Sequence, residues 1–202
     1  MKKQTKVAII AGSILVVVGA AAVLYEKLVQ GFAPQTMVVT EEAGNVSPAQ
    51  GSSSQENQTE APTIQAPNVT ILDASGKEVQ LQSLVGKPII LNFWASWCPP
   101  CKQEMPDFEA AYKKYGTDIQ FMMVNMTDGG RETIATAEKY ITSQGYSFPV
   151  YFDTKQEAAI EYGVSAIPTT YFINAQGHII AYAAGAITAQ HLEQGISMMQ
   201  AN

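Results

Sequence analysis

From Pro67 to the last residue the spacing of apolar positions changes period several times, and each change predicts an element. In "NVTILDASGKEVQL" (68–81) β-forming residues alternate on either side of Asp73-Ala-Ser-Gly76, the pattern of a hairpin. "PIILNFW" (88–94) and "IQFMMVNM" (119–126) are apolar runs of strand length, as expected for central strands covered on both faces. Between them Phe108, Ala111, Tyr112 and Tyr115 recur at helical spacing and stop at Gly116. Strand, helix, strand in that order predicts a βαβ unit and a parallel pairing.

The same reading continues to the C-terminus. Ile134, Ala137 and Ile141 mark a second helix before Gly145; "FPVYF" is a strand and "KQEAAIEYG" a short helix. "TTYFI" and "HIIAYA" are strands around the turn Asn174-Ala-Gln-Gly177, and Leu192, Ile196 and Met199 place an apolar stripe on a last helix. The expected fold class is α/β, a mixed central sheet flanked by helices with an N-terminal hairpin extension.

Ahead of this domain the pattern is different. Lys2, Lys3 and Lys6 precede nineteen uncharged, mostly apolar residues, Val7 to Tyr25. As a helix that run covers roughly 28 Å, close to the hydrocarbon thickness of a bilayer. The expectation is a cytoplasmic start and a single transmembrane anchor (7–25) within residues 1–30, with the rest of the chain outside the cytoplasm by the positive-inside tendency. A cleaved signal peptide is the competing reading, with secretion as its consequence; Gly31-Phe32-Ala33 is the nearest cleavage candidate, but Pro34 follows it. Residues 31–66 read as a disordered linker: from Pro34 to Ala66 there is no aromatic residue and no Lys or Arg. The folded domain is therefore expected over 67–202.

Charge narrows the partners. The chain carries 12 basic and 18 acidic residues, net −6, with no clustered basic face, so nucleic-acid binding is not expected.

The candidate chemistry is in "FWASWCPPCKQEMP" (93–106), which holds both cysteines, Cys98 and Cys101. They follow a buried strand and open a helix, with Cys98 as N-cap and Pro99 and Pro100 at positions whose N–H groups a helix does not need. Pro100 disfavours α geometry at Pro99, a tension at the first turn. The helix dipole and free N–H groups favour a thiolate at Cys98, making it the candidate nucleophile, with Cys101 one turn in as the resolving thiol. Two other readings compete. A closed zinc site takes about four ligands, and beyond this pair the chain offers only His178 and His191, without ligand spacing, so no metal is expected. An inert staple closing so short a loop would stabilise by only about 1 to 2 kcal/mol. C-x-x-C within a βαβ pattern favours redox exchange over both.

"FWASWCPPC", together with "AIPTTYFI" and the element order, resembles the thioredoxin superfamily, and "KQEMP" is similar to its TlpA/ResA branch of membrane-anchored thiol-disulfide oxidoreductases. The resemblance covers essentially all of 67–202. It implies a thioredoxin-like fold, a redox-active Cys98–Cys101 disulfide, and a cis peptide bond at Ile167–Pro168 beside Cys98, where substrate main chain docks. Thioredoxin itself carries a buried aspartate where Asn92 stands; the branch uses a glutamate where Glu104 stands, implying that Glu104 tunes the thiols and assists proton transfer. Trp97 is expected at the rim, shaping substrate contact. The function implied is an extracytoplasmic reductase of protein disulfides, with apocytochrome c as one substrate and a CcdA-like membrane thiol donor as electron source. The protein is expected to be a monomer without cofactor. A thiol oxidase or isomerase, or a tethered binding or chaperone module with little turnover, is the alternative.

Overall fold

Residues 38–39 and 64–201 are described by the computed structural model. The candidate anchor (7–25) and most of the expected linker lie outside the described residues. Among the described residues no helix is long and apolar enough to cross a membrane.

The strands are β1 (Val38–Val39), β2 (Ile64–Gln65), β3 (Thr70–Asp73), β4 (Glu78–Gln80), β5 (Ile89–Trp94), β6 (Gln120–Asn125), β7 (Val150–Phe152), β8 (Thr169–Ile173) and β9 (His178–Ala184). The helices are α1 (Pro99–Tyr115), α2 (Ile134–Gln144), α3 (Glu157–Glu161) and α4 (Ala189–Ala201), with a 3-10 turn at Leu81–Leu84. One mixed sheet runs β1-β9-β8-β5-β6-β7-β3-β4, and β2 also pairs with β9. β5, β6 and β7 are parallel to one another, whereas β8 joins β5 antiparallel.

The elements read from periodicity are found where the sequence places them, including the hairpin β3–β4, which joins the sheet through β7. The N-terminal boundary differs. Ile64 and Gln65 lie opposite Ile179 and His178, and Val38 and Val39 lie opposite Tyr182 and Ala181, so the ladder takes in two short segments that composition assigns to the linker. Two-residue strands carry no periodicity of their own; they form because β9 presents an open edge of N–H and C=O groups. The 3-10 turn also has no apolar period to reveal it.

Strand parity builds the core. On β5, Ile89, Leu91 and Phe93 face one side and pack with Met122, Val124, Tyr171, Ile173, Ala158 and Tyr162. Ile90 and Trp94 face the other and pack with Phe108, Phe121, Met123, Phe172, Leu192 and Ile196. Helices α1, α2 and α4 cover that second face. Thr133 caps α2 through a reciprocal pair with Thr136, and Gly145 ends it in the left-handed region, as its position after the apolar stripe predicts.

Helix α4 approaches β8 closely. A Cβ built on Gly195 would overlap the buried ring of Phe172. In an exposed helix Gly→Ala stabilises by up to about 1 kcal/mol. Here Gly195→Ala is expected to destabilise instead, by about 1–3 kcal/mol, because the ring has no free volume to move into. Urea unfolding of the two proteins measures the sign; a stabilised variant would show that α4 does not seat on β8 as described.

Candidate active site

The chain leaves the sheet at Trp94 and enters α1 at Pro99, so the segment between is held at both ends. Cys98 is the N-cap, with extended backbone (φ −89, ψ 108), and its Sγ accepts the Cys101 N–H at 3.2 Å. The Cys98 N–H donates to the Ala95 carbonyl, also at 3.2 Å. Cys98 and Cys101 are joined as a disulfide with Cα atoms 5.3 Å apart. They are 2% and 0% exposed, so only the Cys98 side has any opening to solvent.

Opposite the pair, the Ile167–Pro168 peptide bond is cis. The Ile167 carbonyl oxygen lies 3.7 Å from Cys98 Sγ. The loop is fixed on both sides: Thr169 Oγ1 donates to the Ala166 carbonyl at 2.7 Å, and the Gly185 N–H to the Pro168 carbonyl at 2.8 Å. Next to it is an open groove of about 390 Å³ walled by Trp97, Met126, Val164, Ala166 and Ile167. Trp97, at 36% exposure, is one of the few large apolar side chains at the surface. Such a groove suits an extended peptide carrying an apolar side chain.

Glu104 lies one turn beyond Cys101 on the same face of α1 and is 2% exposed. Its Oε1 accepts from Asn92 Nδ2 at 2.8 Å and its Oε2 from the Ile187 N–H at 2.9 Å. Burial pushes its pKa up to about 7; the two hydrogen bonds offset only part of that, and Asp107 adds slightly to the rise. Asn92 also donates to Thr170 Oγ1 at 3.0 Å, while its Oδ1 has no partner among the described residues. An amide can serve either state of the carboxyl, Nδ2 toward a carboxylate or Oδ1 toward a protonated acid.

Every residue singled out by sequence, Trp97, Cys98, Cys101, Glu104, Ile167 and Pro168, thus lies around one opening or directly beneath it. His178 begins β9 and His191 lies in α4; among the described residues no three His, Cys, Asp or Glu side chains gather as a metal site would require. The sequence reading missed Thr170, Asn125 and Glu132. Thr170 had a signal only as a polar position within the run "TTYFI"; its register opposite Asn92 comes from the structure. Glu132, in a polar loop without periodicity, had none.

A C-x-x-C disulfide at a helix N-terminus, facing a cis-proline loop on this sheet, defines the class of thioredoxin-like thiol–disulfide oxidoreductases. The chain belongs to the AhpC/TSA family, whose profile matches residues 60–182. It is 34% identical over 136 residues to the thiol-disulfide oxidoreductase ResA of Bacillus subtilis, spanning 67% of this chain and 74% of that one. Among solved structures it is similar to a thiol:disulfide interchange protein DsbE from Chlorobium tepidum (29% identity, TM-score 0.61, 68% of this chain and 96% of that one). It is also similar to StoA from Bacillus subtilis (29% identity, TM-score 0.57, 67% and 99%). The activity is that of an oxidoreductase exchanging thiols and disulfides.

The raised pKa of Glu104 makes stability depend on pH with a defined sign. Its carboxyl binds a proton more tightly folded (about 7) than at its ordinary value of 4.5. The stabilisation is therefore fully present below the ordinary value and is lost as pH rises toward the folded one. Glu104→Gln is expected to flatten the stability–pH curve across that window by an amount on the order of 3 kcal/mol. Any hydrogen-bond mismatch of the amide shifts the variant's curve without changing its slope. Urea midpoints at pH 5 and pH 8 check it; equal slopes for the two proteins would assign the proton elsewhere.

Proposed function

We propose that this protein is a membrane-tethered reductase of protein disulfides acting outside the cytoplasm, with Cys98 as the attacking thiolate. The observation that carries the reading is the Cys98 sulfur at the N-terminus of α1, accepting the Cys101 N–H and facing the Ile167 carbonyl. That placement stabilises a thiolate, and it puts the sulfur where an extended substrate strand can lie. The tether rests on the lysine-flanked apolar run 7–25, and the reducing direction on the resemblance to the TlpA/ResA branch.

In the reduced enzyme the Cys98 thiolate attacks one sulfur of a substrate disulfide, forming a mixed disulfide and releasing the other sulfur as a thiolate. Cys101 then gives up its proton and attacks Cys98 Sγ. The Cys98–Cys101 bond forms and the mixed disulfide breaks; one substrate sulfur takes up the Cys101 proton and the other a proton from water, so the substrate leaves with two thiols. Two electrons pass from enzyme to substrate. Glu104, whose pKa lies near neutral pH, is suited to take the Cys101 proton and return it to the departing thiolate. Trp97, Ile167 and Pro168 line the substrate's path. A CcdA-like membrane thiol donor would restore the dithiol, and cysteines of an apocytochrome c haem site are a fitting substrate for a protein held at the outer face of the membrane.

Cys98→Ser is expected to abolish insulin reduction, and Cys101→Ser to accumulate a mixed disulfide whose partner names the substrate. Equilibration with a thiol redox buffer tests the direction: a reductase should lie below about −200 mV, whereas a value near −120 mV, that of strong oxidants, would overturn it.

A further inference from the structure

Glu132 is a buried carboxyl beside the cysteine turn that this exchange chemistry leaves unused. It is 0% exposed. Its Oε1 accepts from the Ser96 N–H at 3.0 Å and from Asn125 Nδ2 at 2.9 Å, and its Oε2 from Ser96 Oγ at 2.7 Å. Its neighbour Arg131 holds its guanidinium 3.7 Å above the centre of the Trp97 ring. Adjacent residues of one loop therefore grip the two adjacent residues that lead into Cys98.

The loop is built to do this. It springs from the end of β6, where the Met126 N–H still donates to the Trp94 carbonyl at 2.8 Å. Asp128 Oδ1 then accepts the Gly130 and Glu132 N–H groups at 2.8 and 2.9 Å, folding the loop back on itself. Gly129 takes the positive φ of +74 that the turn needs. Asn125, which donates to Glu132, is itself oriented by Thr127 Oγ1 at 2.7 Å.

A sealed carboxyl with no cationic partner among the described residues is unfavourable unless its oxygens are paired, and here three neutral donors pair them. Ser96 lies past the end of β5, where the ladder no longer supplies an acceptor for its N–H. Glu132 supplies that acceptor from the neighbouring strand's loop.

We propose that Glu132 is a positioning residue for thiol–disulfide exchange. Acting through Ser96, it holds the 95–97 turn so that Cys98 Sγ stands at the helix N-terminus within reach of the Cys101 N–H, while Arg131 holds Trp97 at the edge of the groove. The proposal rests on Cys98 being the reactive thiol.

The test is the pH profile of Cys98 alkylation by iodoacetamide, followed by mass spectrometry in the full-length protein carrying Cys101→Ser, so that one thiol reacts. Glu132→Leu removes the acceptors while filling the space. It is expected to slow alkylation at neutral pH by about fivefold or more and to move the profile to higher pH, because a displaced sulfur loses its helix-terminal stabilisation. Glu132→Gln keeps a carbonyl oxygen for the Ser96 and Asn125 donors and turns its amide toward Ser96 Oγ, which reverses its role. It should restore most of the parent rate, within about twofold. Adding Ser96→Ala to Glu132→Leu should bring no further loss, since both act through one contact.

Superimposable profiles for the parent and Glu132→Leu would overturn the proposal, as would a Glu132→Gln variant as slow as Glu132→Leu. Should Glu132→Leu fail to fold, Ser96→Ala alone decides: a slowing of about twofold supports the contact, and an unchanged profile rejects it. Alkylation needs no protein substrate, so a failure of the reductase reading would be seen separately, as absence of insulin reduction by the parent.

Discussion

The rest of the molecule depends on the burial of β5 along its whole length, with helices and loops against both of its faces. A strand in that position has to match its side chains in two directions at once. Ile89, Leu91 and Phe93 do so with apolar contacts on one face, Ile90 and Trp94 on the other. Asn92 shares the face of Ile90 and Trp94, and its amide cannot be left there unpaired without a loss of about 1–3 kcal/mol. Thr170, in register on β8, and Glu104, on the helix that β5 itself feeds, both accept from Asn92 Nδ2. The polar contact beneath the cysteines thus follows from placing one amide on the central strand.

Two glutamates on α1 illustrate what environment does to one side chain. Glu104 and Glu109 are both largely withdrawn from water. For Glu109 burial also pushes the pKa up, but Ser147 donates twice and Lys113 once, and those bonds outweigh it and hold the carboxyl below its ordinary value. For Glu104 the donors are an amide and one backbone N–H, no ion pair reaches it among the described residues, and burial wins. The first arrangement fastens a loop to a helix. The second leaves a carboxyl able to gain or lose a proton near neutral pH, one turn from a sulfur that must do the same. Depth and donors together separate the structural glutamate from the chemical one: Glu104 is desolvated more fully and has fewer donors than Glu109.

Most of the fold was legible because its signals are local. The runs 88–94 and 119–126, the stripe on α1 and the turn at Asn174–Gly177 each carry their period within a few residues. The two short strands on β9 were not legible, since their pairing is decided by a free edge more than a hundred residues away. The site divides in the same way. Cys98, Cys101 and Glu104 are linked by helical spacing, and Trp97 by adjacency. That the cis bond lies at Ile167–Pro168 came from family resemblance, because nothing in the local sequence fixes the isomer. Glu132 reaches Ser96 across thirty-six positions from a loop with no pattern, and only the parallel placement of β6 beside β5 brings them together.

The two prolines between the cysteines take on a sharper meaning once the donors at the start of α1 are followed one by one. A helix begins with about four N–H groups that have no partner inside it. Here Pro99 and Pro100 have none to offer. The Cys101 N–H goes to Cys98 Sγ, and the Lys102 N–H, at 3.2 Å, already closes the first helical bond to the Cys98 carbonyl. No donor of the first turn is left over for water or for a competing acceptor, so the polarity of this helix end converges on one sulfur. A residue with an N–H at position 100 would offer Cys98 Sγ a second donor, which Pro100 removes. Pro-Pro therefore leaves the Cys101 N–H as the one first-turn donor to Cys98 Sγ, and when the disulfide opens its acceptor is the thiolate of Cys98.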